Sequence, residues 1–411
     1  IYDQLGGGIA RYAVDEGWII PHFEKMLYDN IQFINLLSKY YQISKNNYYK
    51  EKLYQTINFL NEEFKNNSKL YGSAYDADSE GVEGKYYVWS YKELKDHLND
   101  KLDLFKKKYT ISETGNFENN NILVENNNNL NENDKKEISL LEKKLKDIRK
   151  KRIKPLFDDK SQTDQNAFLI ETLFITSAIL EDSKLKNETL DTFKILEKQL
   201  SKKIFHCYEN SEIDVFLEDY TYYASLLITL YELENDQKYV AKAKEILENI
   251  WEKFYDDKTK LLQKNNIKSN DLFANPIDLN DNNIPNGNSI YLNLCNKIYL
   301  ITGDKNWYEK IDILKKSFHQ ILNSNFSQMF SFIKILDLIN ENISFTFHGN
   351  TETIKDIKNI LQKKYLGRAT FIYRDVNSSK GYVVICKNQT CSNKLYNLNE
   401  IENYLKNSNI K

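Results

Sequence analysis

Apolar positions along this 411-residue chain recur at the spacing of helices that pack in pairs. Between Pro21 and about residue 43, Phe23, Met26, Leu27, Ile31, Ile34, Leu37 and Tyr41 fall at three- and four-residue steps, which predicts one buried helical face. Proline suits the first position of such a helix, because it has no N–H to lose. A second run, Tyr49, Leu53, Ile57, Leu60 and Phe64, follows a short polar loop and completes a helical hairpin. Further pairs are predicted over residues 164–180 with 190–204, 217–233 with 239–254, and 288–301 with 307–322. The pattern breaks at residues 72–89, an extended stretch with a hairpin expected around 85–89. Residues 135–152 are so charged that a solvated surface helix is expected there. From about residue 341 the character changes: strands are predicted at 344–347, 369–374 and 381–386, and helices at 353–364 and 398–405.

Repeated helical hairpins stack into a solenoid or close into an (α/α) toroid. The toroid is preferred, since polar and aromatic clusters recur where each hairpin begins and would share one rim. The expectation is therefore a mainly α toroid over residues 1–340 and a small α/β region over 341–411. Composition agrees: 4 Pro and 13 Gly are too few for a loop-rich β protein, while 29 Tyr and 21 Phe supply core. A net charge of −2 lacks the basic footprint of a nucleic-acid binder. No apolar run approaches the roughly 20 residues needed to cross a bilayer, so no membrane partner is expected and a cytoplasmic location is. Four scattered cysteines do not make a secreted disulfide framework, and Cys386 and Cys391 are expected to be a reduced structural pair.

Three segments could carry chemistry. The first contains Arg11, Tyr12, Asp15, His22, Glu24, Lys25, Tyr28 and Asp29, and helical spacing would put His22, Lys25, Met26 and Asp29 on one face. An imidazole with a carboxylate two turns on can form an acid–base pair; the plainer reading has His22 satisfying a backbone carbonyl. The second, Asp76, Asp78, Glu80 and Glu83, sets four carboxylates within eight residues, which repel unless a cation such as Lys85 or Arg11 lies between them. The aromatics that follow, including Trp89, suggest a surface for a sugar. The third is a set of polar helix starts: Asp159, Asp164 and Asn166; Glu218, Asp219 and Tyr220; and Asn288. Capping explains each singly, but not their repetition at the same point of successive hairpins. His97, His206, His319 and His348 have no comparable polar setting in the sequence. No metal site and no cofactor are implied.

Tyr2-Asp3-Gln4 with the glycine triplet, Arg11-Tyr12, Asp15-Glu16, the run Pro21 to Asp29, and Asp76 to Gly81 resemble the YyaL-type thioredoxin-domain proteins, known in animals as the spermatogenesis-associated protein 20 family. Gly115 to Glu118, Asp158 to Lys160, Leu217 to Tyr220 and Gly287 to Ser289 extend the likeness. The resemblance implies an N-terminal thioredoxin-like domain followed by an (α/α)6 toroid akin to N-acylglucosamine 2-epimerases and six-hairpin glycosidases. The start at Ile1 then reads as the interior of a protein, with that domain missing and the toroid incomplete. Gln165 and Asn286 depart from the family's usual Trp and Ser. The function expected is binding of, or action on, a small sugar-like ligand, as an epimerase or isomerase or a glycoside hydrolase. His22, Asp76, Asp78 and Glu218 are the candidate catalytic residues, and Arg11, Tyr12, Asp15, Glu24, Lys25, Tyr28, Asp29, Glu80, Trp89, Asp159, Asp164, Asn166, Asp219, Tyr220 and Asn288 are expected to line the site. The alternative is a non-catalytic scaffold serving the thioredoxin-like domain in redox or protein-quality work.

Overall fold

Helices that are apolar all round and helices with one apolar stripe alternate along the second half of the chain, and this alternation sorts them into inner and outer rows. The computed structural model describes residues 1–126, 129–210, 213–266, 275–374, 380–388 and 390–410, with backbone alone for 323–325. Two compact units emerge, Ile1–Ser161 and Gln162–Lys411.

In the first unit, α1 (Leu27–Ser44) and α2 (Asn47–Phe59) form the expected hairpin, and α2 runs on through a wider turn, Leu60–Phe64. Asn46 caps α2 by accepting from the Tyr48 N–H. Residues Pro21 to Met26 are not helical. They form short strands, β2 (Pro21–His22) against β1 (Tyr12–Ala13), and β3 (Lys25–Met26). Two antiparallel pairs follow, β5 (Asp78–Ser79) with β6 (Val82–Glu83) and β7 (Tyr109–Thr110) with β8 (Val124–Glu125). Strand β4 (Ala74–Tyr75) lies between β3 and β9 (Phe157–Asp158). Helical spacing around His22 was thus overridden by pairing to strands distant in sequence. The hairpin expected near residue 85 lies earlier, at β5–β6. Glu80 and Gly81, both at positive φ, make its two-residue turn.

The unit also holds α3 (Tyr91–Leu98), α4 (Leu102–Lys106) and α5 (Glu132–Arg149). Ser90 and Glu93 form a capping box on α3. The charged helix α5 is not merely solvated: Ile138 and Leu145 join Trp89, Leu94, Phe105 and Tyr109 in a core cluster.

The second unit begins with three hairpins: α6 (Thr163–Leu180) with α7 (Ser183–Gln199), α8 (Leu217–Glu234) with α9 (Gln237–Phe254), and α10 (Gly287–Thr302) with α11 (Lys305–Asn325). Helix α8 packs between α6 and α10, so these three form an inner row. They bury residues on nearly every side, whereas α7 and α9 bury one stripe. A short hairpin, β10 (Tyr255–Asp256) with β11 (Leu261–Leu262), follows α9. After α12 (Phe330–Glu341) come β12 (Ile343–His348), α13 (Thr351–Tyr365), β13 (Thr370–Arg374), β14 (Tyr382–Lys387), β15 (Thr390–Cys391) and α14 (Leu398–Asn407). Their sheet order is β13-β12-β14-β15, with β12 and β13 parallel. Cys386 and Cys391 face each other across β14–β15 and are disulfide-bonded, not reduced as expected. No helix among the described residues is long and apolar enough to cross a membrane.

The sequence changes character at residue 341, yet the second unit continues across that point. The reason is Glu232, fully buried at the end of α8. Its carboxylate pairs with Lys297 of α10 at 2.8 Å and accepts the Phe371 N–H of β13 at 3.3 Å, while its carbonyl takes the hydroxyl of Tyr373 at 2.5 Å. Burial pushes the carboxyl pKa up and Lys297 opposes the shift. Removing one partner of such a pair strands the other charge in the interior. Glu232→Ala should therefore destabilise the chain by about 3–5 kcal/mol, read as a lowered urea midpoint, and Glu232→Leu with Lys297→Met should recover much of that loss.

Candidate functional site

In the first unit, strand pairing replaces helical spacing as what assembles the N-terminal cluster. His22 stacks on Tyr12, its register partner across β1–β2, with ring centroids 4.9 Å apart. Its Nδ1 lies 2.8 Å from Glu83 Oε1 and its Nε2 lies 3.7 Å from Glu24 Oε2. Arg11 donates to the same Glu24 oxygen at 2.9 Å. Asp29 has a buried oxygen without a hydrogen-bond partner, and burial pushes its pKa up to about 6 against the pull of Arg11. Burial likewise raises Tyr28. Of the predicted residues, then, Arg11, Tyr12, His22 and Glu24 are brought together, with Tyr28 and Asp29 in the electrostatic reach of Arg11.

The other predicted residues of this unit do different work. Asp15 accepts the N–H groups of Ile19 and Ile20 at 3.0 and 2.7 Å and braces the loop between β1 and β2; these backbone donors, Ile20 first, lower its pKa. Lys25 turns away from the surface to pair with Asp3 at 2.7 Å. Trp89, expected to stack a sugar, is fully buried in the core cluster with the Arg152 guanidinium 4.0 Å from its ring. Asp76, Asp78, Glu80 and Asp159 are exposed. Asp76 accepts the Asp78 N–H at 3.1 Å, and Glu80 pairs with Lys85 at 2.9 Å. Arg11 is spent on Glu24 and does not bridge the acidic loop; the link from that loop to His22 is Glu83, a residue of the acidic run that was not assigned a role.

The second unit assembles a tighter cluster at the starts of its inner helices. The loop before α8 is pinned to the start of α6, where Thr163 N–H donates to the His206 carbonyl at 2.8 Å and Thr163 Oγ1 to the Phe205 carbonyl at 2.6 Å. This delivers His206 beside Asp219, which is completely buried. Asp219 accepts from Phe216 N–H at 2.9 Å and from Asp164 N–H at 3.2 Å, and both its oxygens lie 3.1 Å from His206 Nδ1. Gln162 Nε2 is 3.3 Å from the other ring nitrogen. Glu218 reaches the next hairpin: its Oε1 accepts the Gly287 N–H at 3.1 Å, while its buried Oε2 has no partner. Asn286 caps α10 through the Ser289 N–H, and Tyr222 donates to the Pro285 carbonyl at 2.9 Å. The recurrence of polar groups at successive hairpin starts is therefore physical: carboxylates of α8 tie the starts of α6 and α10 to its own.

Electrostatics single out Asp164. Burial raises its pKa and the neighbouring Asp219 charge adds to this, with His206 opposing, so that it is pushed up to about 7. Burial raises Asp219 and Glu218 as well. For His206, burial disfavours the imidazolium, but the hydrogen bond and charge of Asp219, joined by Asp164, outweigh it and raise the ring above its ordinary value. Ligand atoms of Asp164, His206 and Asp219 lie within 4.8 Å of one another, a spacing a cation could also use. The Asp219 oxygens, however, already face backbone N–H groups and Nδ1 at hydrogen-bond distance, which suits proton chemistry better than coordination.

Asp164, Glu218 and Asp219 were legible as candidates, whereas His206 was set aside for lack of a polar setting and is restored by the structure. Its setting is made by Asp219, thirteen residues on, and by a bridge between Gln162 and Cys207. Asn166 and Asn288 are structural. Asn166 donates to the Gln162 carbonyl, and Asn288 holds both the N–H and the carbonyl of Leu262. Tyr220 packs edge-on against Phe254 at 5.6 Å. Gln165 is buried and donates to Gln162.

No family model matches the chain. It is similar to spermatogenesis-associated protein 20 of Homo sapiens, 25% identical over 380 residues, and to that of Mus musculus, 26% identical over 370 residues. Each alignment covers 78% of this chain and 47% of the relative, so the chain spans about half the length of the curated relatives it matches. Among solved structures it is similar to cellobiose 2-epimerase from Spirochaeta thermophila, with a TM-score of 0.47 and 10% identity, over 79% of this chain and 65% of that one. A D-mannose isomerase gives a TM-score of 0.40 and 16% identity over 78% and 82%. These neighbours are toroids of the six-hairpin glycosidase and 2-epimerase class.

The raised carboxyl of Asp164 has a consequence for stability. An aspartate that titrates near 3.8 when unfolded and near 7 when folded holds its proton more tightly in the native state. Its contribution is complete below about pH 4 and is lost as the pH rises toward 7, by at most about 1.4 kcal/mol per unit and less where solvent reaches the site. His206 works in the same direction, stabilising below its unfolded pKa and less above its folded one. Unfolding followed from pH 4 to 7.5 should show the wild-type chain losing stability relative to Asp164→Asn. Parallel pH curves would contradict the shift.

Proposed function

We propose that the second unit is an acid–base centre for a small sugar-like substrate, with Asp164 as the proton carrier. The observation behind this is Asp164 beside the Asp219–His206 pair: a carboxyl titrating near neutrality is populated in both forms at working pH, which is what efficient proton transfer requires. His206, oriented through Nδ1 by a buried carboxylate, offers a positive charge to an oxygen of the substrate once the Gln162 amide beside its other nitrogen gives way. The unpaired Oε2 of Glu218 and the amides of Gln162 and Gln165 offer partners for hydroxyls. Nearby Phe168 and Tyr222, with rings 4.9 Å apart, offer apolar faces.

The reaction type is proton transfer next to a sugar carbonyl, as in an isomerase or epimerase. The Asp164 carboxylate takes the proton from the carbon beside the carbonyl, the electron pair moves to the carbonyl oxygen, and His206 stabilises the resulting enediolate. Return of the proton from Asp164 to the neighbouring carbon, with His206 passing the hydroxyl proton from one enediolate oxygen to the other, gives the isomer; return to the original carbon after the enediolate has turned its other face to Asp164 gives the epimer. In this reading His22, Asp76 and Asp78 are not the proton carriers, and the His22–Glu83 cluster of the first unit is a separate binding surface.

The test uses deuterium. The chain is incubated in D2O with a panel of aldoses, ketoses and disaccharides, and loss of the proton signal beside the carbonyl is followed by NMR. The expected outcome is exchange with at least one sugar, slowed by about 10²–10⁴-fold in Asp164→Asn and retained in His22→Ala. Exchange should rise through a single inflection near pH 7, the value for Asp164. Absence of exchange across the panel, or unchanged rates in Asp164→Asn, would return the protein to the scaffold reading.

A further inference from the structure

Within the first unit a cavity of about 430 Å³ opens beside the glycine turn, well inside the range of small-molecule sites. Its walls are aromatic, with Phe23, Tyr48 and Tyr87, and its floor is charged, with Asp3, Lys25 and Arg149. The proposed acid–base centre does not use any of these residues.

The floor carries more positive charge than it neutralises. Asp3 receives Arg149 through both guanidinium nitrogens, at 2.9 and 2.8 Å, and Lys25 at 2.7 Å. One carboxylate thus serves two cations, and burial notwithstanding, their charges hold its pKa far below the usual range. Glu125, the other carboxylate that lines the cavity, is paired with Lys52 at 3.5 Å, so Asp3 is left to balance both floor cations. Glu63, whose charge also reaches Lys25, is paired with Lys154.

Hydrogen bonding is unbalanced in the same sense. Arg149 is 5% exposed and Lys25 is 2% exposed. Arg149 has five N–H groups, of which two donate, both to Asp3; among the described residues the others meet only the faces of Tyr86 and Tyr87, with centroids at 5.3 and 5.5 Å. Lys25 donates to Asp3 and to the Gly7 carbonyl. Buried donors of this kind are normally paired, and the group that would pair them is an anion in the cavity. Trp18 also lines the cavity while 70% exposed, on a loop that Asp15 braces. An exposed indole lining the cavity can cover a flat ring.

We propose that this cavity binds a small organic anion, a carboxylate or phosphate monoester attached to a flat apolar ring. The anion pairs with Arg149 and Lys25 while the ring lies among Tyr48, Tyr87 and Trp18.

The experiment is calorimetric titration of the chain with 1-naphthoate and with its neutral counterpart 1-naphthamide, on wild type and on Trp18→Ala. Trp18 is exposed, so its replacement leaves the core intact. Naphthoate should bind saturably and at least about tenfold more tightly than the amide, the scale of one charge-assisted hydrogen bond. Trp18→Ala should weaken naphthoate by about two- to tenfold. Lys25→Met, if it folds by circular dichroism, should abolish the preference for the acid over the amide. Equal affinity for acid and amide, an unchanged affinity in Trp18→Ala, or no saturable naphthoate binding up to millimolar concentration would each overturn the proposal. Phenyl phosphate in place of naphthoate separates phosphate from carboxylate preference.

Discussion

A single carboxylate, that of Asp219, joins the starts of α6 and α8 to the loop that carries His206. It is fully buried, which is costly for a charged group, and the cost is offset by donors arriving from three segments: Phe216 N–H from its own helix start, Asp164 N–H from α6, and Nδ1 of His206. Replacing any of these donors leaves a buried acceptor short. The first unit repeats the device with Asp3, which gathers the glycine turn, β3 and the end of α5 around one carboxylate. In both places the organising group is an acid among donors.

The helices were legible because their cause is local. Apolar residues at three- and four-residue steps give α2, α9 and α11 directly, and caps such as Asn46, Asp236 and Asp304 mark where they begin. Residues Pro21 to Met26 carry the same spacing and still became strands, because Ala13 and Tyr75 offer ladder partners and the Leu27 N–H finds the Ser73 carbonyl. Such pairing spans tens of residues and leaves no trace in a local window. Helix α5 looked solvated for the same reason: the acceptor that makes Arg149 a buried residue lies 146 positions away.

The chemistry was legible in proportion to how far each group acts through the backbone. Asp164, Glu218 and Asp219 stood out because polar residues crowd helix starts, and their capping geometry is also what aims them. His206 sits in a loop with no periodic signal, and its meaning comes from Asp219 and from the pinning of that loop to the start of α6. Trp89 misled in the opposite direction. An aromatic after an acidic run suggested a sugar platform, but its neighbours Leu94, Leu98 and Ile138 made it core.

The start of α10 has one more property. Asn-Gly is the dipeptide most prone to spontaneous deamidation, because the glycine nitrogen can attack the preceding side-chain amide and close a succinimide ring. At Asn286-Gly287 that nitrogen donates to Glu218, and the amide is itself held by the Ser289 N–H, the Leu279 carbonyl and Asp281. Ring closure there must wait until the helix start opens. The amount of aspartate and isoaspartate accumulated at residue 286 in an ageing sample is consequently a chemical clock, set running only by the moments when the link between α8 and α10 comes undone.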